Sequence, residues 1–256
     1  GKTPLTIKLD QILKELNFKT ATIKKFYTDQ VDEQKLLANK SKLYCNRNRF
    51  EALKNAIKDN VDVAIFDDGL QDRYLKYDIS FVCFNDNNWI GNGRLIPSGP
   101  LREKLKSISK YDAIFLNSIE EKNFDIYETI KKVSKSIKIF STYYKPTNIH
   151  QFNIHDNYLA FSGIGNPSNF KTTLQKNKFK IIKEINYPDH YNYQKKDMKI
   201  IKKIAKSFNA KIITTEKDYV KIPKEYINDI NFLEIELVIK EQDELISFIK
   251  SKIWVL

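Results

Sequence analysis

The sequence predicts an α/β fold built from two units with mainly parallel sheets and a cleft between them. Short apolar runs alternate with amphipathic helical segments along most of the chain, an order that favours β-α-β units. The apolar run Val61–Phe66 is typical of a buried parallel strand. The alternation resumes after Lys145–Asp156, which has the composition of a connection. We therefore expect two domains, residues 1–147 and a smaller one at 148–256.

The periodicity of apolar residues places the individual elements of each unit. In the first unit we expect, in chain order, a helix over Leu5–Leu16, a strand over Thr20–Lys25, a helix over Glu33–Ala38, a strand over Lys42–Cys45, a helix over Arg47–Lys58, strands over Val61–Phe66, Ile79–Phe84 and Ala113–Leu116, a helix near Ile119–Val133 and a strand over Ile137–Tyr144. In the second unit we expect strands over Tyr158–Ile164, Lys180–Ile185, Lys211–Ile213 and Asn231–Val238, and helices over Ser168–Gln175, Lys195–Phe208 and Glu241–Ile249.

The composition limits the classes of protein that remain possible. No apolar run reaches about 18 residues, so the sequence predicts no membrane-spanning helix. Only Cys45 and Cys83 occur, which indicates a reducing compartment. The net charge is +12, with 44 Lys and Arg against 32 Asp and Glu. This excess would suit an anionic membrane surface, nucleic acid or a phosphorylated substrate, but no compact basic block stands out, and we favour solvated lysine-rich faces.

The chain begins with Gly1-Lys2-Thr3-Pro4 and runs directly into the first predicted helix. Such a sequence is typical of the end of a phosphate-binding loop. Lys2 would then reach the β and γ oxygens of a nucleotide, and Thr3 would ligate Mg²⁺. The alternative is an ordinary chain terminus, since three residues are a short motif. The earlier glycines of such a loop are absent, so the sequence starts inside the motif.

The acidic turn Asp67–Asp72 follows a predicted strand at its carboxyl end, where ligands bind in open α/β sheets. Adjacent residues of an extended backbone point to opposite sides, so Asp67 and Asp68 are expected to differ in role, and one could hold Mg²⁺. The alternative is an acidic turn, because Asp-Gly is a common turn pair. A long loop, Asn85–Pro100, follows the next strand, and loops of this length are usually functional or mobile.

Taken in order, the motifs GKTP, DE, DDGLQ, GNGRLIPSGPLRE, SGIGNP, PDHY and TTEKD resemble the tetraacyldisaccharide 4'-kinase family of lipid A biosynthesis. The resemblance extends from residue 1 to about residue 222 and is most specific from Asp67 to Glu103. It implies an ATP-dependent kinase with two P-loop/Rossmann-like α/β domains, the smaller of which closes over the nucleotide site. It also implies a lipid A precursor, the disaccharide 1-phosphate, as substrate, and peripheral attachment to the cytoplasmic face of the inner membrane, with no nucleic acid partner.

The resemblance also implies residue roles, which we carry over position by position. It assigns ATP binding to Gly1, Lys2 and Thr3, metal binding to Thr3 and Asp67, and catalysis to Asp32, His190 and Asp68. Asp32 and His190 belong to different predicted domains, so we expect domain closure to bring them together. Arg94 and Arg102 are candidates for binding the substrate's phosphate. Gly163–Pro167 and Thr214–Asp218 each follow a predicted strand and are candidates for lining the nucleotide cleft.

Each of these residues also has an ordinary explanation. Asp32 would simply begin a helix, His190 would lie in a surface loop, and the arginines would be solvated or paired with Glu103. The sequence also departs from the family pattern, with Val31 where glycine is expected and Asp72 where histidine is expected. We therefore keep two alternatives: a truncated or decayed, non-catalytic homologue that binds nucleotide or anionic lipid, and an unrelated nucleic-acid NTPase. If the protein begins at Gly1, we expect impaired ATP binding.

Overall fold

The fold is seen in a computed structural model, which describes residues 2–28, 30–72, 74–118 and 123–253. The helices and strands are, in chain order, α1 (Lys2–Glu15), β1 (Thr20–Lys25), α2 (Val31–Lys40), β2 (Leu43–Asn46), α3 (Arg49–Lys58), β3 (Val63–Asp67), β4 (Phe81–Asn85), β5 (Ala113–Asn117), α4 (Phe124–Val133), β6 (Lys138–Pro146), β7 (Asn157–Ser162), α5 (Pro167–Lys176), β8 (Lys180–Asn186), α6 (Lys195–Ser207), β9 (Lys211–Thr215), α7 (Glu216–Tyr219), β10 (Ile230–Leu233), β11 (Ile235–Ile239) and α8 (Gln242–Ile253). Three short 3₁₀ helices join them.

The strands form three sheets, with the orders β2-β1-β3, β11-β6-β5-β4 and β10-β9-β7-β8. Pairing is parallel between β1 and β2, β4 and β5, β5 and β6, β7 and β8, β7 and β9, and β9 and β10. Parallel neighbours need a crossover connection, and helices lie between many of the successive strands, as α4 does between β5 and β6. The predicted α/β class with mainly parallel sheets is therefore confirmed.

The first compact unit comprises Gly1–Thr20, Ile65–Tyr144 and Leu237–Leu256. Its central strand β5 is buried at all five positions, as expected of a strand covered on both faces. One core cluster packs β5 against α4 and the segment before β5, and consists of Ile108, Ile114, Leu116, Ile126, Ile130 and Ile137. The helix predicted near Ile119–Val133 is confirmed from Phe124 onward, and residues 119–122 lie outside the described ranges.

The second compact unit comprises Ala21–Ala64 and Lys145–Glu236. Strand β7 has a core cluster on each face, because alternate residues point in opposite directions. Leu159 and Phe161 pack with Met198 and Ile201 of α6. Tyr158 and Ala160 pack on the other face, with Phe170 and Leu174 of α5. The two helices therefore cover opposite faces of the β10-β9-β7-β8 sheet.

The single strand predicted over Asn231–Val238 is wrong. Two strands occupy this segment, β10 in one sheet and β11 in another. Glu234 separates them because its backbone groups bond to a different segment: its N–H donates to Asn148 Oδ1 at 2.9 Å, and its carbonyl accepts from Thr147 N at 3.0 Å. Neither group is then available to a sheet ladder, so the strand pairing is interrupted here.

Both compact units combine segments that are distant in the sequence, whereas a single boundary near residue 147 is predicted from composition. The division into domains at 1–147 and 148–256 stays a prediction. In the ranges that the structure describes, no helix combines the length and the apolar character that crossing a membrane requires.

Candidate active site

The first cluster of predicted site residues lies where β3 ends, within the first compact unit. Asp67 is the last residue of β3 and is buried. Asp68 follows with φ of 57°, in the left-handed region that aspartate tolerates better than most residues. Asp68 is therefore not in the extended conformation expected for the pair from the sequence, but the two carboxylates do have different surroundings, and their different roles stay a prediction.

Asp67 faces the first turns of α1. The hydroxyl of Thr3 donates to Asp67 Oδ2 at 3.3 Å, and that of Thr6 donates to Oδ1 at 3.3 Å. The two threonines are three residues apart and so share one face of the helix. Their hydroxyls give the buried carboxylate hydrogen-bond partners. The structure thus brings Thr3 and Asp67, the predicted metal ligands, into direct contact.

Asp68 instead meets two cations, through the same oxygen. Lys2 Nζ lies 2.6 Å and Arg102 Nη1 lies 2.7 Å from Asp68 Oδ1. Burial would raise the pKa of this carboxyl, but the hydrogen bonds and charges of Lys2 and Arg102 outweigh burial and lower it. Arg102 also donates to Gln71 Oε1 at 3.0 Å. Arg102, for which solvation or pairing with Glu103 was the ordinary explanation, is therefore bound to Asp68 and Gln71 of the acidic turn.

Arg94, a further predicted residue, forms no hydrogen bond or ion pair with Asp67 or Asp68 in the described ranges. The side chain of Arg94 is exposed in the loop after β4 and forms no ion pair with an acidic residue in the part of the chain that the structure describes. Its backbone carbonyl accepts from Leu101 N at 3.2 Å, which helps to shape the loop. Gly1, predicted to bind nucleotide, lies outside the described residues.

Asp32 and His190 contact each other directly within the second compact unit. The ring nitrogen Nδ1 of His190 lies 3.1 Å from each carboxylate oxygen of Asp32. From the sequence, the pair is expected to meet through closure of two domains, whereas the structure brings it together within one compact unit, because Ala21–Ala64 packs with Lys145–Glu236. Asp32 lies in the first turn of α2, so it begins a helix and also binds His190.

Two features fix the orientation of His190. Its backbone has φ of 58°, in the left-handed region, and its N–H donates to Asp189 Oδ1 at 3.0 Å. Because an ionised carboxylate only accepts hydrogen bonds, Nδ1 carries the proton that Asp32 accepts. In the neutral imidazole, Nε2 is then an acceptor, and Lys217 Nζ lies 3.5 Å from it.

The same cluster contains two lysines: Lys217, which belongs to the predicted segment Thr214–Asp218 but was given no role of its own, and Lys221, which was not singled out from the sequence. Each places Nζ 3.7 Å from Asp32 Oδ2. They are four residues apart, a spacing that brings side chains to one side of a helical turn, and the spacing from the lysine of TTEKD to Lys221 was the signal available in the sequence. They place two positive charges beside a buried carboxylate.

These charges set the protonation state of the acids beside His190. Burial would raise the pKa of Asp32, but the charge of Lys217 and the hydrogen bond from His190 outweigh burial and lower the pKa. The pKa of Glu33 is also lowered, where burial is outweighed by Lys24 and Lys217. Lys24 Nζ is buried and lies 2.9 Å from Glu33 Oε2. Both carboxyls are therefore ionised at neutral pH.

The segments Gly163–Pro167 and Thr214–Asp218 meet at the buried carboxylate of Asp218. Gly163 N donates to Asp218 Oδ2 at 3.0 Å, and the Thr215 hydroxyl donates to the same oxygen at 2.7 Å. Oδ1 accepts from the Tyr193 hydroxyl at 3.1 Å and pairs with Lys221 at 2.8 Å. The contact between the two segments is a finding, and their role at a nucleotide stays a prediction.

The donors around Asp67 suit a magnesium ion bound together with phosphates. Mg²⁺ takes few protein ligands, usually one or two carboxylates, and completes its shell with water and substrate phosphate. A carboxylate and a hydroxyl in contact, as Asp67 and Thr3 are, match that preference. Within the described ranges, no three or more His, Cys, Asp or Glu side chains converge as a cage for a metal. The residues present therefore fit a metal that arrives with a nucleotide.

Comparisons with known proteins agree with this geometry. The family model described as tetraacyldisaccharide-1-P 4'-kinase matches residues 1–254. A protein named tetraacyldisaccharide 4'-kinase from Pelagibacter ubique is 49% identical over 245 residues, which cover 96% of this chain and 78% of that protein. A protein of the same name from Rickettsia typhi is 34% identical over 265 residues, covering 96% and 79%. The chain belongs to the tetraacyldisaccharide 4'-kinase family.

Proposed function

We propose that this protein transfers the γ-phosphoryl group of ATP to the 4'-hydroxyl of tetraacyldisaccharide 1-phosphate, giving lipid IVA in lipid A biosynthesis. Membership of the family supports this reaction over a non-catalytic remnant. The observation that carries the proposal is the direct contact of Asp32 with His190 beside two lysines, since a decayed site would have no reason to keep that arrangement. The protein would act as a peripheral protein at the cytoplasmic face of the inner membrane.

ATP would bind at the first turn of α1. The Lys2 ammonium would leave Asp68 and bind the β and γ oxygens of ATP. Gly1 and the N-terminus of α1 would offer backbone N–H groups to phosphate. Thr3 and Asp67 would hold Mg²⁺, which supplies charge neutralisation to the transferring phosphoryl group. Asp68 would remain beside the bound phosphates and help to organise them together with the Mg²⁺. Arg102, next to Asp68, and Arg94 would bind the 1-phosphate of the lipid.

Asp32 would receive the proton of the sugar hydroxyl. The hydroxyl oxygen forms a bond to γ-phosphorus, the bond from γ-phosphorus to the ADP oxygen breaks, and the hydroxyl proton passes to the carboxylate. A carboxylate with a lowered pKa is a weak base, but a weak base suffices because the transition state is loose and needs positioning more than proton removal. His190 would hold the carboxylate in place through Nδ1–H.

The proposal is tested by incubating the protein with γ-³²P-ATP, Mg²⁺ and tetraacyldisaccharide 1-phosphate. We expect labelled lipid from the wild type and from Asp59→Ala, a control that removes an exposed carboxylate paired with Lys42. We expect Asp67→Ala to lose at least about a hundredfold in rate, as for loss of a group that stabilises transition-state charge. ATP binding without transfer by the wild type would instead favour a non-catalytic homologue.

A further inference from the structure

Lys217 lies among four groups of the Asp32–His190 cluster. Its Nζ is 3.3 Å from Asp189 Oδ1, 3.5 Å from Glu33 Oε1 and 3.7 Å from Asp32 Oδ2. The fourth group is the ring nitrogen Nε2 of His190, at 3.5 Å. A single ammonium therefore bridges α2, the loop that carries His190, and α7.

We propose that Lys217 is a positioning residue, whose ammonium bridges Asp32, Asp189 and His190 and holds the Asp32–His190 pair in place for proton transfer from the substrate hydroxyl. The inference rests on the proposed function, because it assigns Lys217 to that reaction. The lysine acts through the pair, since its ammonium has no proton-accepting lone pair.

The positive charge of Lys217 compensates a group of neighbouring carboxylates. Three carboxylates, those of Asp32, Glu33 and Asp189, lie around Nζ. Lys24 compensates Glu33 from β1, at 2.9 Å. Like charges disfavour ionisation of their neighbours, so without Lys217 the three carboxylates would drive one another toward the protonated form. Among the groups that lower the pKa of Asp32, the charge of Lys217 is the largest.

Lys221 has a different task, although it is equally close to Asp32. Its side chain is 4% exposed, and its strongest partner is the buried Asp218, with Nζ 2.8 Å from Oδ1. It also donates to the carbonyl of Gly163 at 3.3 Å. Removing Lys221 would leave a buried charge uncompensated and threaten the fold. The side chain of Lys217 is 21% exposed, so its substitution is expected to leave the fold intact.

Lys40 provides a matched control. It belongs to α2 and pairs with Glu216, the sequence neighbour of Lys217, with Nζ 2.8 Å from Oε1. Lys40→Met removes the same charge from the same pair of helices as Lys217→Met. It does so without removing a contact to Asp32 or His190. A general effect of net charge or of α7 stability would therefore appear in both variants.

The test compares wild type, Lys217→Met, Lys217→Arg and Lys40→Met by steady-state kinetics and by ¹³C NMR titration of the Asp32 carboxyl. The Asp32 signal is assigned by its loss in Asp32→Asn. In Lys217→Met we expect the carboxyl titration to move up by at least about one pH unit, as for loss of an adjacent opposite charge. Because the ammonium that holds Asp32 and His190 in place is lost, we expect kcat to fall at least about tenfold, with KM for ATP and lipid changed less than about threefold. Lys217→Arg should restore most of the wild-type kcat and most of the wild-type titration of Asp32. Lys40→Met should match the wild type in both measurements.

The inference is overturned if the Asp32 titration is the same in Lys217→Met and wild type, or if KM rises while kcat is unchanged, since Lys217 would then bind substrate. Should Lys217→Met fail to fold, Lys217→Gln is measured in its place. If the wild type transfers no phosphate, the proposed function is wrong, and the carboxyl titration alone decides whether Lys217 controls Asp32.

Discussion

At the scale of single residues, neighbours in the sequence have opposite surroundings. Asp67 is buried against two threonine hydroxyls, whereas Asp68 meets the charges of Lys2 and Arg102. Asp32 and Glu33 share Lys217 but otherwise differ, since His190 contacts the first and Lys24 the second. A hydroxyl-lined carboxylate suits a metal, and one between cations suits the positioning of phosphate groups. Position at the end of a strand or start of a helix creates this division.

The contact between Asp32 and His190 predicts a non-additive effect on the rate. We expect Asp32→Asn to lower kcat by about 10² to 10⁴-fold, the range for a proton-transferring side chain, with little change in KM. Because His190 acts through Asp32, the double variant with His190→Gln should be no slower than Asp32→Asn alone.

The measurement is kcat for both single variants and the double variant, with His155→Gln as a control at an exposed histidine. Multiplied losses in the double variant would show that the two residues act independently, contrary to this prediction.

The position of Asp32 and His190 was predictable from motifs, but the contacts of Lys217 and Lys221 were not. A motif match identifies residues that resemble known ones, so it found PDHY and the acids after Val31. The lysines act through distances between α2, α7 and a loop, and such distances depend on tertiary packing. The contact of Asp32 and His190 within one compact unit was not predictable for the same reason, because sequence order alone does not reveal that Ala21–Ala64 packs with Lys145–Glu236.

At the scale of elements, Asp218 links the end of β9 to the end of β7. Thr215 caps α7 and accepts a hydrogen bond from Asp218 N, at 3.1 Å, while its hydroxyl donates back to the carboxylate at 2.7 Å. Gly163 N, just after β7, donates to the same carboxylate at 3.0 Å. One side chain therefore fixes two loops that follow parallel strands. These loops carry or adjoin the residues around Asp32.

We expect the substitution of Asp218 to lower the free energy of unfolding strongly. Asp218→Ala leaves Lys221 buried without its close partner and removes the acceptor of three hydrogen bonds, so we expect about 3–5 kcal/mol of destabilisation, the range for breaking a buried pair. Asp229→Ala is the control, because this carboxylate is 70% exposed and its pair with Lys202 should contribute less than about 1 kcal/mol.

Urea unfolding of both variants measures the difference. Equal destabilisation by Asp218→Ala and Asp229→Ala would mean that Asp218 does not hold the two loops together.

Most elements were predictable because apolar periodicity marks strands and helices that are buried. The split between β10 and β11 was not, since both strands are apolar and adjoin at Glu234. What ends β10 is a hydrogen bond from Glu234 N to Asn148, a residue far away in the sequence. The local pattern of apolar and polar residues does not indicate that Asn148 is the partner of Glu234.

At the scale of the whole molecule, the pKa values of several carboxyl groups are shifted in the same direction. This shift predicts how the stability of the protein depends on pH. The pKa values of Asp32, Glu33 and Asp68 are lowered from ordinary values of 3.8, 4.5 and 3.8. A carboxyl with a lowered pKa in the folded state adds stability above its unfolded pKa, and this stability is lost as the pH falls through the folded value. We therefore expect the free energy of unfolding to decrease below about pH 4.5 because of these groups.

Urea unfolding at pH 7, 5, 4 and 3 checks this expectation. In Asp32→Asn the decrease on acidification should be smaller, because one of the responsible carboxyls is gone. A free energy of unfolding that stays constant down to pH 3 would contradict the assignment.

The segments that make up the two compact units have a consequence for how the protein is synthesised. The chain passes from one unit to the other near residues 20, 64, 144 and 236. Strand β11, which borders β6, and helix α8 are made after almost everything else. The ribosome synthesises the chain in sequence order. All residues of the second compact unit are therefore made before Leu237–Leu256 of the first compact unit. The cluster around Asp32 would then assemble during translation, before strand β11 completes the β11-β6-β5-β4 sheet.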